Sequence, residues 1–388
     1  MDITIWPQKL QGTVAAIPSK SQAHRLLICA AFSDGETILQ CSETNRDIEA
    51  TADCLRALGA DIVRTADGYR ILQIRRLPES AILNCCESGS TLRFMLPIAG
   101  ALGVDALFQM EGRLPCRPLS PLWEEMERMG CKLSRPSETT IRCTGKLKTG
   151  NYSIDGSVSS QFVTGLLFAL SLIGGDSHLE ITGKIESRPY IEMTRAAMAL
   201  FHVPDYHTPG MIQVEGDWSN GAFFLAAKAL GSDLTITNLN ETSTQGDRAA
   251  ATLLFALKEH CYVNAADIPD LVPILAVVAA HNQGAVFTNI QRLRLKESDR
   301  VATVIDMIRS LGGSACATED TLSISGTGLI GGTVNSHNDH RIAMAAAIAA
   351  TVCCEPVTIL GADAVNKSYP GFWKEYRNLG GNYEQYLR

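Results

Sequence analysis

The 388-residue sequence predicts an α/β protein with two domains. Its length exceeds what one ordinary hydrophobic core supports, since a domain usually holds roughly 150 to 200 residues. Helical and strand periodicities also follow one another along the chain. Ile48 to Leu58 and Val301 to Leu311 space their apolar residues three and four apart, whereas Leu234-Thr235-Ile236-Thr237 and Leu322-Ser323-Ile324-Ser325 alternate. The junctions between the two patterns recur. An amphipathic stretch ends in a hydrophobic residue plus glycine and passes at once into a short strand pattern at Leu58-Gly59, Met129-Gly130, Leu311-Gly312 and Leu379-Gly380, with weaker forms at His202 and His260. The glycine is predicted to take the left-handed conformation that ends a helix. Six junctions 52 to 72 residues apart predict six related α/β units in two clusters.

Composition narrows the class. Apolar residues make up 46% of the chain and charged residues 19%, the balance of a globular protein. A formal net charge of -7 argues against a broad basic surface for nucleic acid. The longest uncharged apolar run, Ile342 to Cys354, is 13 residues and falls short of the roughly 20 that span a bilayer. Met1-Asp2-Ile3-Thr4 lacks the basic start of a signal peptide, so a cytoplasmic protein is expected. The twelve cysteines contain no C-x-x-C pair, and the adjacent pairs Cys85-Cys86 and Cys353-Cys354 lie in apolar surroundings. They read as small, buried, reduced side chains.

Cations beside small polar residues mark the chemistry. Pro18-Ser19-Lys20-Ser21-Gln22-Ala23-His24-Arg25 precedes the apolar run Leu26 to Phe32, so Ser19 or Ser21 caps a helix whose amino end favours anions. A cap with two solvated cations explains the same residues equally well. Glu87-Ser88-Gly89-Ser90-Thr91-Leu92-Arg93 is a turn ahead of a helix, with Gly89 open to a close ligand and Ser90 or Thr91 as cap. Arg113 to Arg117-Pro118 adds two more cations. Ser157-Val158-Ser159-Ser160-Gln161 offers hydroxyl and amide donors before Val163 to Leu172, although a plain capping box is the simpler explanation.

The second half of the chain supplies the acids. Asp270 stands before the apolar stretch Ile274 to Ala280, where partial burial raises a carboxyl pKa and neighbouring cations lower it again. Helix capping is the competing role for it. In Leu295-Lys296-Glu297-Ser298-Asp299-Arg300, a continuous helix would separate Glu297 from Lys296 and Arg300, whereas a loop entering a helix lets all three converge. His337 and His340 flank Asn338-Asp339, but no third His or Cys ligand follows nearby, so no metal is expected. His340 beside Arg341 at a helix head fits anion recognition better.

In their order along nearly the whole chain, these motifs closely resemble the 5-enolpyruvylshikimate-3-phosphate synthase family, the 3-phosphoshikimate 1-carboxyvinyltransferases. The resemblance implies an inside-out α/β barrel in each of two domains, six βαβαββ units in all, with the active site in the cleft between domains. Domain 1 would comprise residues 1–18 and 244–388 and domain 2 residues 19–243, with Thr244-Gln245-Gly246-Asp247 just past the crossing. It implies transfer of the enolpyruvyl group of phosphoenolpyruvate to the 5-hydroxyl of shikimate 3-phosphate, with release of phosphate, by addition and elimination through a tetrahedral intermediate. Lys20, Ser21, Arg25, Ser159, Ser160, Gln161, Ser187, Tyr190, Asp270 and Lys296 would hold shikimate 3-phosphate, and Lys20, Gly89, Arg117, Gln161, Arg300, Arg341 and Lys367 phosphoenolpyruvate. Asp270 would accept the proton of the attacking hydroxyl and Glu297 would help protonate the methylene, supported by Lys20 and His340. No cofactor is implied, the partners are the two small substrates, and a monomer is expected.

The chain departs from the usual family pattern at four positions. Glu87 and His24 stand where Asn is common, Phe94 where Pro is common and Arg292 where Asn is frequent, and the segment from His202 to Met211 is shorter by about a hairpin. Three rivals are weaker. UDP-N-acetylglucosamine enolpyruvyl transferases carry Asn where Ser21 stands and a reactive cysteine where Gly112 stands. A noncatalytic anion-binding scaffold would gain nothing from Asp270 and Glu297. A related RNA-end cyclase does not fit the acidic chain.

Overall fold

The computed structural model describes residues 1–386 and divides into two compact units. The continuous unit is Pro18–Glu215; the discontinuous unit joins Met1–Ile17 to Gly216–Arg388. The return crossing thus lies at Glu215/Gly216, not near Ser243/Thr244 as expected from the sequence. The reason is local. Strand Asp233–Thr237 pairs in parallel with Gln11–Ala15 over five residues, and the preceding helix is apolar enough to be buried in the discontinuous core.

In the continuous unit, helices α1 (Lys20–Phe32), α2 (Arg46–Ala57), α3 (Gly89–Leu102), α4 (Leu122–Arg128), α5 (Ser160–Ile173) and α6 (Arg188–Leu200) serve three sheets. The first has the order Met211–Gln213, Thr37–Gln40, Gly68–Leu72, Asp61–Arg64, and the second Ser80–Asn84, Asp105–Gln109, Thr140–Gly145, Cys131–Ser137. Both have one parallel pair followed by antiparallel strands. The third is only the parallel pair Asn151–Asp155 and His178–Thr182. Between α6 and the strand Met211–Gln213 the chain forms no further strand.

The discontinuous unit repeats the scheme with α7 (Trp218–Ala229), α8 (Ala250–Ala256), α9 (Val272–His281), α10 (Arg300–Ser310), α11 (His340–Ala349) and α12 (Phe372–Asn378). Two four-stranded sheets, Cys261–Asn264, Ala285–Thr288, Thr321–Ser325, Ser314–Ala317 and Gly332–Asn335, Val357–Leu360, Asp2–Trp6, Asn382–Tyr386, accompany the short pair already described. Among the described residues six repeats are therefore present, four with four strands and two with two. The predicted six-unit α/β organisation holds, with two units short of the full βαβαββ pattern.

Amphipathicity sorts the helices. The nine residues from Val272 to Ala280 in α9 are all buried, as is every residue of α11, and α7, α9 and α11 pack on one another. Helices apolar all round have no face to offer water and must occupy an interior. By contrast α2 and α10 bury one stripe and turn charged residues outward. The predicted caps hold at Gly59 (φ +106°), Gly130 (+113°), Gly312 (+84°) and Gly380 (+91°), and His202 takes φ +49° at the weaker junction. Each of the four glycines precedes a tight entry into the next strand, whereas after His202 the next strand begins only at Met211. At Gly130 an added Cβ would meet the Lys146 carbonyl oxygen at 2.7 Å, so the close approach and the positive φ both favour glycine.

All twelve cysteines are free, but Cys116, Cys316 and Cys354 are exposed and Cys86 and Cys261 are half-buried, so the expectation of uniformly buried thiols fails at these five. Cys85 and Cys353 of the two adjacent pairs are buried, whereas Cys86 is half-buried in a left-handed turn (φ +48°) and Cys354 is exposed. Among the described residues no helix is long and apolar enough to cross a membrane.

Candidate active site

Each unit gathers its predicted residues at helix amino ends. In the continuous unit Ser19 caps α1, placing Lys20, Ser21 and Arg25 on its first turns. Lys20 Nζ lies 2.9 Å from Asp47 Oδ2 of α2. Arg25 is 2% exposed, and its guanidinium donates to Thr194 Oγ1 (2.8 Å), the Ser21 carbonyl (2.6 Å), the Tyr190 carbonyl (3.0 Å) and Thr164 Oγ1 (3.4 Å). Phe94 lies beneath it, 5.1 Å from guanidinium carbon to ring centre. All four partners are neutral, and burial pushes Arg25 down to about 10. A buried cation surrounded by neutral oxygens leaves its charge uncompensated, which favours an anion nearby.

Ser88, rather than Ser90 or Thr91, caps α3, accepting from the Thr91 N–H at 3.2 Å. That frees Ser90 to accept from Gln161 Nε2 at 2.9 Å, while Gln161 Oε1 accepts from Arg93 Nη1 at 3.2 Å. Gln161, at the head of α5 behind its cap Ser159, is thus held by α3. Ser160 is buried beside it, and Ser187 precedes α6 in a left-handed conformation (φ +53°) without capping it. Tyr190, on the first turn of α6, is half-buried.

Gly89 is where the cations converge. A Cβ there would lie 2.5 Å from Arg117 Nη1 and 2.6 Å from Arg93 Nη1, and Arg117 Nε is buried with no hydrogen-bond partner. Glycine leaves both guanidinium groups room at a helix head, where backbone N–H groups add to the attraction for an anion. Replacing Gly89 with alanine is expected to push both arginines aside. Losing one charge-assisted hydrogen bond of about 1.5–3 kcal/mol should weaken the binding of an anion at this helix head roughly 10- to 100-fold. Steady-state kinetics with each substrate varied would check this.

In the discontinuous unit the acids and cations interlock. Asp299 caps α10, so Lys296 and Glu297 lie in the approach to the helix and Arg300 on its first turn. This is the loop-into-helix arrangement that permits convergence. Arg300, with a side chain 1% exposed, reaches Asp270 (2.5 Å), Glu297 (2.7 Å) and Asp339 (2.9 Å). Asp270 also faces Lys296 at 3.3 Å and Arg341 at 3.4 Å. It does not cap α9, whose amino end has no side-chain cap. Asp339 instead caps α11 by accepting from the Arg341 N–H at 3.0 Å, and accepts from Ser298 Oγ at 2.9 Å. His340 is 1% exposed, its Nδ1 3.9 Å from Asp339 Oδ1. Lys367 Nζ donates to the Asn338 carbonyl at 2.9 Å. His337 turns away to Asp306 at 2.9 Å.

The charges set the protonation states. Burial works against the charged form of Asp270, but Arg341, Lys296 and Arg300 overcome it and hold the carboxyl well below its usual range. Burial pushes Lys296 down to about 8 despite the nearby Asp270. Arg300, facing Asp339, Glu297 and Asp270, stays charged in spite of its burial. Asp247 goes the other way: burial, then the nearby Asp270, push it up to about 6, and Ser219 Oγ donates to it.

Four residues of these clusters carried no role in the sequence reading. Arg93 and Asp339 lay inside quoted motifs, and Asp247 inside the segment 244–247. Asp47 had no signal beyond its place in the first turn of a helix, because its partner Lys20 is 27 residues away.

Residues 6–376 match the EPSP synthase (3-phosphoshikimate 1-carboxyvinyltransferase) family. The chain belongs to that family. It is 38% identical to the 3-phosphoshikimate 1-carboxyvinyltransferase of Clostridium kluyveri over 99% of this chain and 98% of that protein. The same identity holds against the enzyme of that name from Clostridium perfringens, over 98% of both chains. An EPSP synthase structure from Acinetobacter baumannii superimposes with a TM-score of 0.80 at 22% identity, covering 99% of this chain and 100% of that one, and shares the fold. In this EPSP synthase family member the predicted residues therefore occupy two clusters, one in each unit.

Proposed function

We propose that this chain transfers the enolpyruvyl group of phosphoenolpyruvate to the 5-hydroxyl of shikimate 3-phosphate. The observation that carries the reading is Asp270: a carboxylate kept ionised by Lys296, Arg300 and Arg341, beside a second acid, Glu297, held by the same arginine. An anion binder needs the cations alone; a base and an acid together serve proton transfer.

In the addition step the 5-hydroxyl oxygen bonds to C2 of phosphoenolpyruvate, its proton passes to Asp270, and C3 takes a proton with the help of Glu297, supported by Lys20 and His340. Elimination then expels phosphate from C2 as C3 gives a proton back. Asp270 is a weak base while three cations press on it. Incoming phosphate and carboxylate groups compete for those cations, which raises its basicity when the hydroxyl arrives. Shikimate 3-phosphate is held by Lys20, Ser21, Arg25, Ser159, Ser160, Gln161, Ser187, Tyr190, Asp270 and Lys296. Phosphoenolpyruvate is held by Lys20, Gly89, Arg117, Gln161, Arg300, Arg341 and Lys367. Holding two mutually repelling polyanions in reacting geometry can lower the barrier by about 7–11 kcal/mol.

The test is phosphate release from phosphoenolpyruvate with shikimate 3-phosphate or UDP-N-acetylglucosamine as acceptor. Release with shikimate 3-phosphate alone is expected; release with the nucleotide sugar alone, or with neither, sinks the reading. We take the monomer as the working form, which predicts a sedimentation mass near 41.9 kDa.

Lys296 sets the alkaline limit. Its charged form is lost as pH rises through about 8, so kcat/KM for shikimate 3-phosphate should fall above that pH. The limb in kcat should lie higher, because bound anions favour the ammonium form. Lys296→Arg should abolish the limb in kcat/KM, and an unmoved limb would assign it to another group.

A further inference from the structure

We propose that His24 and Thr51 are positioning residues for the heads of α1 and α3, joined by a directed chain of buried hydrogen bonds that ends on the Ser88 hydroxyl. This rests on the assignment of those helix heads to substrate anions given above.

The chain is continuous in geometry. His24 Nδ1 lies 2.7 Å from Thr51 Oγ1, Thr51 Oγ1 lies 2.7 Å from Thr91 Oγ1, and Thr91 Oγ1 lies 2.8 Å from Ser88 Oγ. His24, Thr51 and Thr91 are 0% exposed and Ser88 is 1% exposed, so water does not compete along its length. Three helices meet on it. Thr51 follows Asp47 by four residues on α2, and that spacing puts both on one face. Asp47 holds Lys20 of α1 through its carboxylate at 2.9 Å, and its carbonyl lies 3.4 Å from Thr91 Oγ1 of α3. One face of α2 thus ties the lysine-bearing helix to the glycine-bearing one.

The far side of the imidazole gives the chain its direction. His24 Nε2 is buried with no hydrogen-bond partner, and the ring sits edge-on to Phe94, 6.3 Å between centres and 89° between planes. A buried N–H without an acceptor is costlier than a bare ring nitrogen, so the proton belongs on Nδ1. Burial, with Lys20 and Arg25 nearby, keeps the ring neutral. With Nδ1–H donating to Thr51, each hydroxyl hands its own proton onward: Thr51 to Thr91, Thr91 to Ser88. Ser88 Oγ then accepts from both the Thr91 hydroxyl and the Thr91 N–H, and its own proton remains to be donated at the head of α3, next to Gly89. With the opposite tautomer the same atoms would run the other way and spend that proton inside the chain.

The experiment combines a spectroscopic and a kinetic arm on the full chain. Nitrogen-15 imidazole shifts should show His24 as the neutral Nδ1–H tautomer between about pH 5.5 and 9, flanking the ordinary histidine value near 6.5. Thr51→Val removes the hydroxyl and should raise KM for both substrates roughly tenfold, the equivalent of one buried hydrogen bond. Thr51→Ser keeps the hydroxyl and should bring both values back to within about twofold, a recovery that loss of packing alone would not produce. An Nε2–H tautomer, or a Thr51→Val loss that Thr51→Ser does not recover, overturns the relay. Lys20→Gln separates the two claims. Wild-type KM in Lys20→Gln sinks the anion assignment, whereas impaired Lys20→Gln beside wild-type Thr51→Val sinks the relay.

Discussion

Asp270→Asn is expected to lower kcat by about 100- to 10,000-fold, the contribution of a well-placed general base, while shikimate 3-phosphate still binds. The substitution is isosteric and keeps an oxygen for Arg300, which stands 2.5 Å away. What it removes is the negative charge and the ability to take a proton. The cluster then holds Lys296, Arg300 and Arg341 against Glu297 and Asp339 only, an excess of cation that favours anion binding. Titration calorimetry should therefore show equal or tighter binding of shikimate 3-phosphate alongside the collapse in turnover. A kcat within threefold of wild type would remove Asp270 from the chemistry. Weaker binding with unchanged kcat would reassign it to positioning.

Arg300→Met should be the most destabilising single change in the discontinuous unit. One guanidinium pairs with three carboxylates, and the side chain is 1% exposed. Removing one partner from a buried ion pair typically costs about 3–5 kcal/mol, because the abandoned charge stays desolvated. For a unit of this size the midpoint of thermal unfolding should drop by roughly 6–20 °C. The pH dependence fixes the cause. In the wild type Asp339 and Asp270 are held below their ordinary values, so their stabilisation is present above the unfolded carboxylate range and is lost as pH falls through the folded values. Without Arg300 the buried carboxyls shift upward instead, and their penalty is relieved as pH falls toward the raised values. The gap between mutant and wild type should therefore narrow from pH 8 to pH 5. A gap independent of pH would point to lost packing rather than lost charge.

How far the sequence reached depended on the range of the interaction. Glycine caps were legible because a left-handed turn is a property of one residue and its immediate neighbours, and Gly59, Gly130, Gly312 and Gly380 all adopt it. The reading of Lys296, Glu297 and Arg300 left helix and loop open, since the spacing alone admits both; the cap at Asp299 settles it. Ser88 was passed over as the cap of α3 because Ser88, Ser90 and Thr91 are all good capping residues in one short turn. The choice falls to Ser88, with Ser90 taken by Gln161, 71 residues away.

By itself the sequence determined the α/β class, the six-unit repeat, the family motifs and which residues would carry charge, since these follow from local periodicity and side-chain chemistry. Tertiary structure alone decided that the chain returns at Gly216, that Asp47 answers Lys20, that Asp339 shares Arg300 with Asp270 and Glu297, and that His24 and Ser88 end one buried chain. Each of these is a contact between segments remote in sequence or a choice among equivalent local partners. Burial then sets the strength of such contacts, and burial is a property of the packed fold.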